Sequence, residues 1–479
     1  MSNATPKLKS AKAEPAAATA APSRVPLILY DDAVARQFEP FALTRPLATL
    51  LSGTAAVWER WQTALQRPCG GVIAAKHLTE FDEAPGVVTG TLPAGTIVAN
   101  SRFAPAMDVI AMRGFPSPPV RNHEHPDSRA GSWRSDGRIA AVRLSRAVPV
   151  ANFADGTVTL ESFVVGEQES APIAGWWHDE VWDYIKHLAA AITDDIARIL
   201  TTPVVGDDIR ESWPVPSHVT VIGEHPVIVQ GPNPRPELAH IPPAVIEEHV
   251  VLDATAGPIM IESGVHVRSF TRITGPCRIG RNSTIVGGDV TGCSIGPVCK
   301  IRGEISSSIV LGYSNKGHEG FVGHSYLGRW VNLGAGTTTS NLKNTYGPVA
   351  LWTPKGLRGT GMQFLGTLFG DHVKTGIGTL LTTGTVLGAG AHVFGSHMPP
   401  KAVAPFAWGE GEPYDTYRLD KFLSSAETIM ARRHMALSDR AKRQLAAAFD
   451  HRWAVEHVAK RTLVTRKTKG KARNKGKAR

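Results

Sequence analysis

The side chains able to do chemistry fall into two groups. In the first, the apolar run at residues 26–30 ends in Asp31-Asp32, and carboxylates at a strand end could contribute to a metal site. Arg45, in Thr44-Arg45-Pro46-Leu47, could supply charge to a phosphate. Asn100 and Arg102, in Asn100-Ser101-Arg102, could hold a base or a sugar. Each has a plain structural alternative: a turn aspartate, a capped helix start, a strand-end arginine. The second group lies further on. His318 sits among glycines at residues 312–323. Imidazole is the side chain whose ordinary pKa lies nearest neutrality, which suits a general base. With 18 histidines in the chain, His318 taken alone reads first as an exposed loop residue. Asn332 and Asn341 can donate and accept in a polar pocket, or simply occupy corners of a β structure. Lys343 and Lys374 could meet a phosphate or remain solvated. The four cysteines (Cys69, Cys277, Cys293, Cys299) form no CxxC pair and no zinc spacing, so reduced thiols and a cytoplasmic location are expected.

Elements must position these groups. Short apolar runs at 26–30, 71–75 and 96–99 read as strands. A helix-like segment runs from Arg45 through Val57, Trp58 and Trp61. Another spans 182–200, with Ile185, Leu188, Ile192 and Ile196 at helical spacing. Together they predict an α/β layer domain over 25–205. Residues 206–249 hold Pro214, Pro216, Pro226, Pro232, Pro234, Pro236, Pro242 and Pro243, a density that forbids a long helix and reads as a linker.

From 250 to 400 aliphatic residues recur every six positions: Ile261, Val267, Ile273, Ile279 and Ile285, then Ile295 and Ile301. Later runs are Phe321, Leu327, Leu333 and Phe369, Thr375, Leu381, Leu387, Val393. Neither a helical nor a simple strand period gives this. A coil with three flat faces does, each coil burying its apolar side against its neighbours, and the pattern predicts a left-handed parallel β-helix of hexapeptide repeats. Residues 401–459 read as an extended segment and a helix carrying the stripe Leu445, Phe449, Trp453. The net charge of +10 belongs to the ends. From Lys460 onward there are ten Lys/Arg and no acid, and before Val25 four bases face one acid. Both ends, 1–24 and 460–479, read as disordered extensions, the second with polyanion binding as its alternative. No apolar run is long enough for a transmembrane helix, no secretory signal is expected, and no membrane partner is expected.

Several motifs carry a resemblance. They include residues 303–308 (Gly-Glu-Ile-Ser-Ser-Ser), 312–323 (Gly-Tyr-Ser-Asn-Lys-Gly-His-Glu-Gly-Phe-Val-Gly), 330–336, 340–344, 370–374 and 383–386. They are similar to the bifunctional UDP-N-acetylglucosamine pyrophosphorylase/glucosamine-1-phosphate N-acetyltransferases. The divergent bacterial branch of sugar nucleotidyltransferases is resembled most, with Leu29-Tyr30-Asp31-Asp32, Thr44-Arg45-Pro46-Leu47, Asn100-Ser101-Arg102, Trp182-Asp183 and residues 405–409 contributing. The resemblance covers about residues 25–435. It implies an α/β nucleotidyltransferase-like domain followed by the left-handed β-helix and a C-terminal helix. It implies His318 as catalytic base, Glu304 as the carboxylate that orients it, and Asn332 and Asn341 at the sugar. Acetyl-CoA, a sugar phosphate, a nucleoside triphosphate and Mg²⁺ are the implied substrates and cofactor. A homotrimer with acyl sites between subunits is implied too.

The chain also departs from the family. Phe321 stands where the family has a tyrosine, and Ser306 where it has a lysine. An Arg-Pro-Gly-Ala motif is missing near Gly287-Gly288. The Gly-rich loop after the first strand is missing too, with no glycine before Gly53. Three readings stay open: a two-activity transferase, an acyltransferase with a degenerate sugar-phosphate-binding first domain, and a non-enzymatic β-helix protein.

Overall fold

The computed structural model describes residues 26–107, 130–166, 169–201, 212–231 and 242–453. The terminal extensions expected at 1–24 and 460–479 lie outside these residues. The first domain is built on six strands: β1 (Leu27–Tyr30), β2 (Cys69–Ile73), β3 (Ile97–Asn100), β4 (Ser132–Ser135), β5 (Arg138–Arg143) and β6 (Ser170–Pro172). Their order is β6-β4-β5-β3-β1-β2. β1 is buried throughout and pairs in parallel with both β2 and β3, which explains why it is apolar at every position. The expected helical segment after Arg45 starts later than its sequence suggests. A short 3₁₀ turn (Leu47–Thr49) and a tight hairpin precede helix α1 (Val57–Ala64). Ile185 lies in the short helix α2 (Asp183–Lys186), and Leu188, Ile192 and Ile196 lie in α3 (Leu188–Thr201). All four are buried.

The hairpin loop is locked between α1 and α3. Arg60 and Asp195, both fully buried, pair at 2.5 Å. Arg60 also donates to the Ser52 and Pro105 carbonyls, while Asp195 accepts from the Thr54 amide and hydroxyl. Gly53 closes this turn at φ +67°, and a Cβ there would lie 2.4 Å from the Arg60 guanidinium. The first glycine after β1 is therefore a packing residue.

Beyond the first domain runs a long series of parallel strands, in the manner of a β-helix. On one face the register steps from Ile261 to Ile279, Ile295, Val310, Leu327, Phe369, Leu387 and Val403. On another it steps from Val267 through Ile285 and Ile301 to Lys316. The six-residue aliphatics through Ile301 are fully buried in one continuous core. In the 321–333 run, Val322, not Phe321, points inward. Val322 has no exposed surface and is the partner of Ile305, whereas Phe321 is only half-buried beside Glu304. Parallel pairing starts already inside the Pro-rich stretch, where Thr220–Ile222 joins Val251–Asp253 and Val227–Gln230 joins Ile259–Ile261.

The face that steps through Val310 is buried on both sides. Ile309, Leu311, Tyr326, Leu368 and Val386 point outward and share one core with Phe41, Leu51, Trp182 and Tyr184 of the first domain. The Tyr326 hydroxyl donates to the Leu51 carbonyl and accepts its amide, and the Ser294 hydroxyl donates to the Gly53 carbonyl. Helices α4 (Leu419–Ala431) and α5 (Asp439–Asp450) then cover a corner of the coils, packing Phe422, Met430 and Leu445 near Trp330, Phe406 and Leu43. The expected single helix is thus two. Its stripe holds in part, with Leu445 buried and Phe449 and Trp453 half-buried. Among the described residues no helix is long and apolar enough to cross a membrane.

Candidate functional site

Asp32, Asn100 and Arg102 converge at the C-terminal ends of β1 and β3. Flanked by β2 and β3, β1 stands where the strand order reverses, the usual ligand position in such sheets. Arg102 grips both Asp32 oxygens through Nε (3.0 and 2.9 Å), while Asn100 donates to Asp32 at 3.0 Å. Asp32 also accepts the Val34 and Ala35 amides. Burial pushes the Asp32 carboxyl up, but Arg102 and these hydrogen bonds prevail and hold it below the usual range. The second guanidinium arm of Arg102 reaches Asp179 at 2.5 Å, and Arg138 meets the same carboxylate at 3.0 Å. Trp177 stacks under Arg138, 3.7 Å from its centroid. Above this network opens a cavity of about 360 Å³.

Asp31 and Arg45 stand elsewhere. Asp31 is buried, with one oxygen accepting the Leu47 amide, and burial pushes its carboxyl up to about 6. With Asp32 saturated and Asp31 enclosed, the pair does not fit a divalent cation. Among the described residues no cluster of His, Cys, Asp and Glu could hold one. Arg45, expected at a phosphate, is instead buried between the domains, 2.8 Å from Asp371 and 3.4 Å from Glu83. Its charge is matched by protein carboxylates, and it stands apart from Asp32, Asn100 and Arg102.

On the coils the expected acyl-site residues fall into separate groups. Glu304 and His318 are both exposed, and no hydrogen bond joins them. Lys316, which takes an inward position as the partner of Ile301, extends its ammonium to the Arg302 and His318 carbonyls at 2.7 and 3.0 Å. It thereby anchors the loop that carries His318. Burial pulls its pKa down to about 8 against the opposing pull of Glu319 and Glu304. Asn332 accepts from Asn315 at 3.3 Å and is the register partner of Lys374. Both line a second cavity, of about 630 Å³, facing α4. Lys374 donates to the Trp330 carbonyl at 2.8 Å, and burial lowers its pKa to about 8. Asn341 pairs with His324 at 2.9 Å, and Lys343 is bonded to the Pro348 carbonyl.

Residues 27–202 match the family model of sugar nucleotidyl transferase. Curated relatives align over shorter stretches. A bifunctional sugar-1-phosphate nucleotidylyltransferase/acetyltransferase of Sulfurisphaera tokodaii is 34% identical over 23% of this chain and 26% of its own length. A bifunctional protein GlmU of Methanococcus vannielii is 36% identical over 18% and 20%. An uncharacterized acetyltransferase, YaiX, of Escherichia coli is 27% identical over 30% and 64%. The chain thus spans between a fifth and just under two thirds of the length of these relatives.

Two residues escaped the sequence reading. Lys316 breaks the aliphatic column, a visible signal once the register is known. His324 is half-buried, stacked on Phe364 at 5.2 Å and bonded to Asn341, and burial lowers its pKa. Nothing in its sequence context separates it from the other histidines.

His372 makes a third, structural case. It is buried beside Trp330 and Phe422, with Nδ1 unpartnered. Burial, then the Lys374 and Arg45 charges, pushes its pKa down to about 3. The folded state therefore resists a proton that the unfolded state takes near pH 6.5, so this stability is present above pH 6.5 and lost as pH falls toward 3. Urea midpoints measured from pH 7.5 to 4.5 are expected to fall less steeply in His372→Asn, which tolerates the site's φ of +60°. Parallel curves for the two proteins would remove His372 from the acid limb.

Proposed function

We propose that this chain is a sugar-1-phosphate nucleotidyltransferase joined to an acyltransferase, acting in the synthesis of a nucleotide sugar of the UDP-N-acetylglucosamine kind. The observation that carries the first activity is the meeting of Asp32, Asn100 and Arg102 beneath a cavity at the strand-order reversal. The match of residues 27–202 to sugar nucleotidyl transferase supports it. Arg102 and Asn100 position the base or the sugar, and Mg²⁺ is assigned no protein ligand. The second activity takes acetyl-CoA as donor, on a closed left-handed β-helix assembled as a homotrimer in the cytoplasm. Acyl sites between subunits account for the separation of Glu304, His318, Asn332, Asn341, Lys343 and Lys374 within one chain. The alignments with acetyltransferases support this half.

The test is a panel of sugar 1-phosphates, nucleoside triphosphates, Mg²⁺ and acetyl-CoA, with products read by mass spectrometry. Arg102→Ala is expected to lower nucleotidyl transfer by about 10- to 100-fold, the worth of a charge-assisted hydrogen bond, with acyl transfer intact. Equal loss of both activities would mark a folding defect and count against the assignment. A second reading, an acyltransferase with a first domain that only binds sugar phosphate, is favoured by the saturation of Asp32 and the missing Gly-rich loop. Sugar-phosphate binding without any nucleotidyl product from the wild type would select it.

A further inference from the structure

Every arginine lining the first domain's cavity is already matched by a carboxylate. Arg102 meets Asp32 and Asp179, Arg138 meets Asp179, and Arg358 meets Glu180. Among the described residues the cavity has one further cation, and it comes from the other domain. An antiparallel hairpin, Ala350–Thr353 with Gly356–Gly359, is inserted between the coil strands Thr338–Thr339 and Thr367–Phe369, and its turn brings Pro354 and Lys355 to the cavity wall. Lys355 is exposed and has no ion-pair or hydrogen-bond partner among the described residues.

The hairpin is held firmly. Leu351 is fully buried in the core shared by both domains, and the Thr353 hydroxyl donates to the Gly356 carbonyl across the turn at 2.9 Å. Arg358 bonds Glu180 and lies over the Trp182 ring, 5.7 Å from its centroid. The tip is therefore a fixed part of the wall. An ammonium kept without a counter-ion at the rim of a cavity is a point charge available to an anion. The first domain lacks a Gly-rich loop for this purpose, and Arg36, on the turn after β1, is spent on the Asp31, Phe153 and Ala154 carbonyls.

We propose that Lys355, carried on a hairpin of the second domain, is the phosphate-contacting cation of the first domain's cavity, which binds a pyrophosphate or the diphosphate of a nucleotide sugar. This deepens the nucleotidyltransferase reading and rests on it for the identity of the ligand, but not for the anion site itself.

The experiment uses the full-length protein and inorganic pyrophosphate as probe, titrated by calorimetry at fixed ionic strength. Lys355→Ala is expected to raise the Kd by about tenfold or more, and Lys355→Glu further, at unchanged melting temperature. Lys355→Arg should restore most of the affinity. No pyrophosphate binding by the wild type, or the same Kd in Lys355→Ala, would overturn the proposal. Exchange of labelled pyrophosphate into nucleoside triphosphate, run in parallel, separates the two claims. Lys355-dependent binding without exchange sinks the enzymatic reading and keeps the anion site. Exchange that is unaffected by Lys355→Ala does the reverse.

Discussion

Asp371→Ala is expected to lower stability by about 3–5 kcal/mol, because it leaves a buried guanidinium without its counter-charge. One Asp371 oxygen accepts from the Thr44 hydroxyl at 2.9 Å and from Arg45 at 2.8 Å, and the other accepts the Arg329 amide at 2.7 Å. Arg45 and Arg329 also share Glu83, whose carboxyl burial pushes up and the two arginines hold below its ordinary range. Removing Asp371 strands Arg45 at 4% side-chain exposure with one longer carboxylate contact at 3.4 Å and the neutral Thr49 hydroxyl at 3.3 Å. Thermal or urea unfolding should show the loss. In the double variant Arg45→Met/Asp371→Leu, which removes both charges, much of it should return. A cost below about 1 kcal/mol for Asp371→Ala would mean that water reaches the network and that the domains are not held by it.

His318→Ala is expected to lose acyl transfer by about 10²–10⁴-fold, the usual cost of removing a general base, while melting temperature stays unchanged because the side chain is exposed. His324→Ala is expected to cost less, since the Asn341 amide already occupies one of its ring nitrogens. Free CoA thiol released in the presence of an amino-sugar phosphate reports both. Wild-type turnover in His318→Ala with a large loss in His324→Ala would move the base to His324. Wild-type turnover in both would leave the coils without an imidazole catalyst.

The coils were the most legible part of the chain, because each buries one aliphatic residue per face and the spacing survives in Ile261 through Ile301. The register failed at Phe321, where the loop around Lys316 and Gly320 shifts the inward position to Val322. The covered face also left a mark that went unread. Ile309-Val310-Leu311 and Leu368-Phe369 are apolar on both sides of the strand, as only a doubly buried strand requires. At the first site, Asp32, Asn100 and Arg102 were legible as strand-end polar residues and do meet. The ion pair of Arg45 was not legible because its partner, Asp371, is distant in sequence and no local pattern announces it.

The covered face also sets an order of events during synthesis. The first domain leaves the ribosome before the coils that floor it, and an N-terminal domain ordinarily begins to fold at that stage. Here Phe41, Leu51 and Tyr184 lack their coil partner until Tyr326 has been made, and the shared core is complete only once the chain has been extended past Val386 and Ala402. For that interval the nascent protein carries a large apolar underside with no partner in cis. Its yield is therefore expected to respond to translation speed and chaperone supply as well as to the stability of the finished fold.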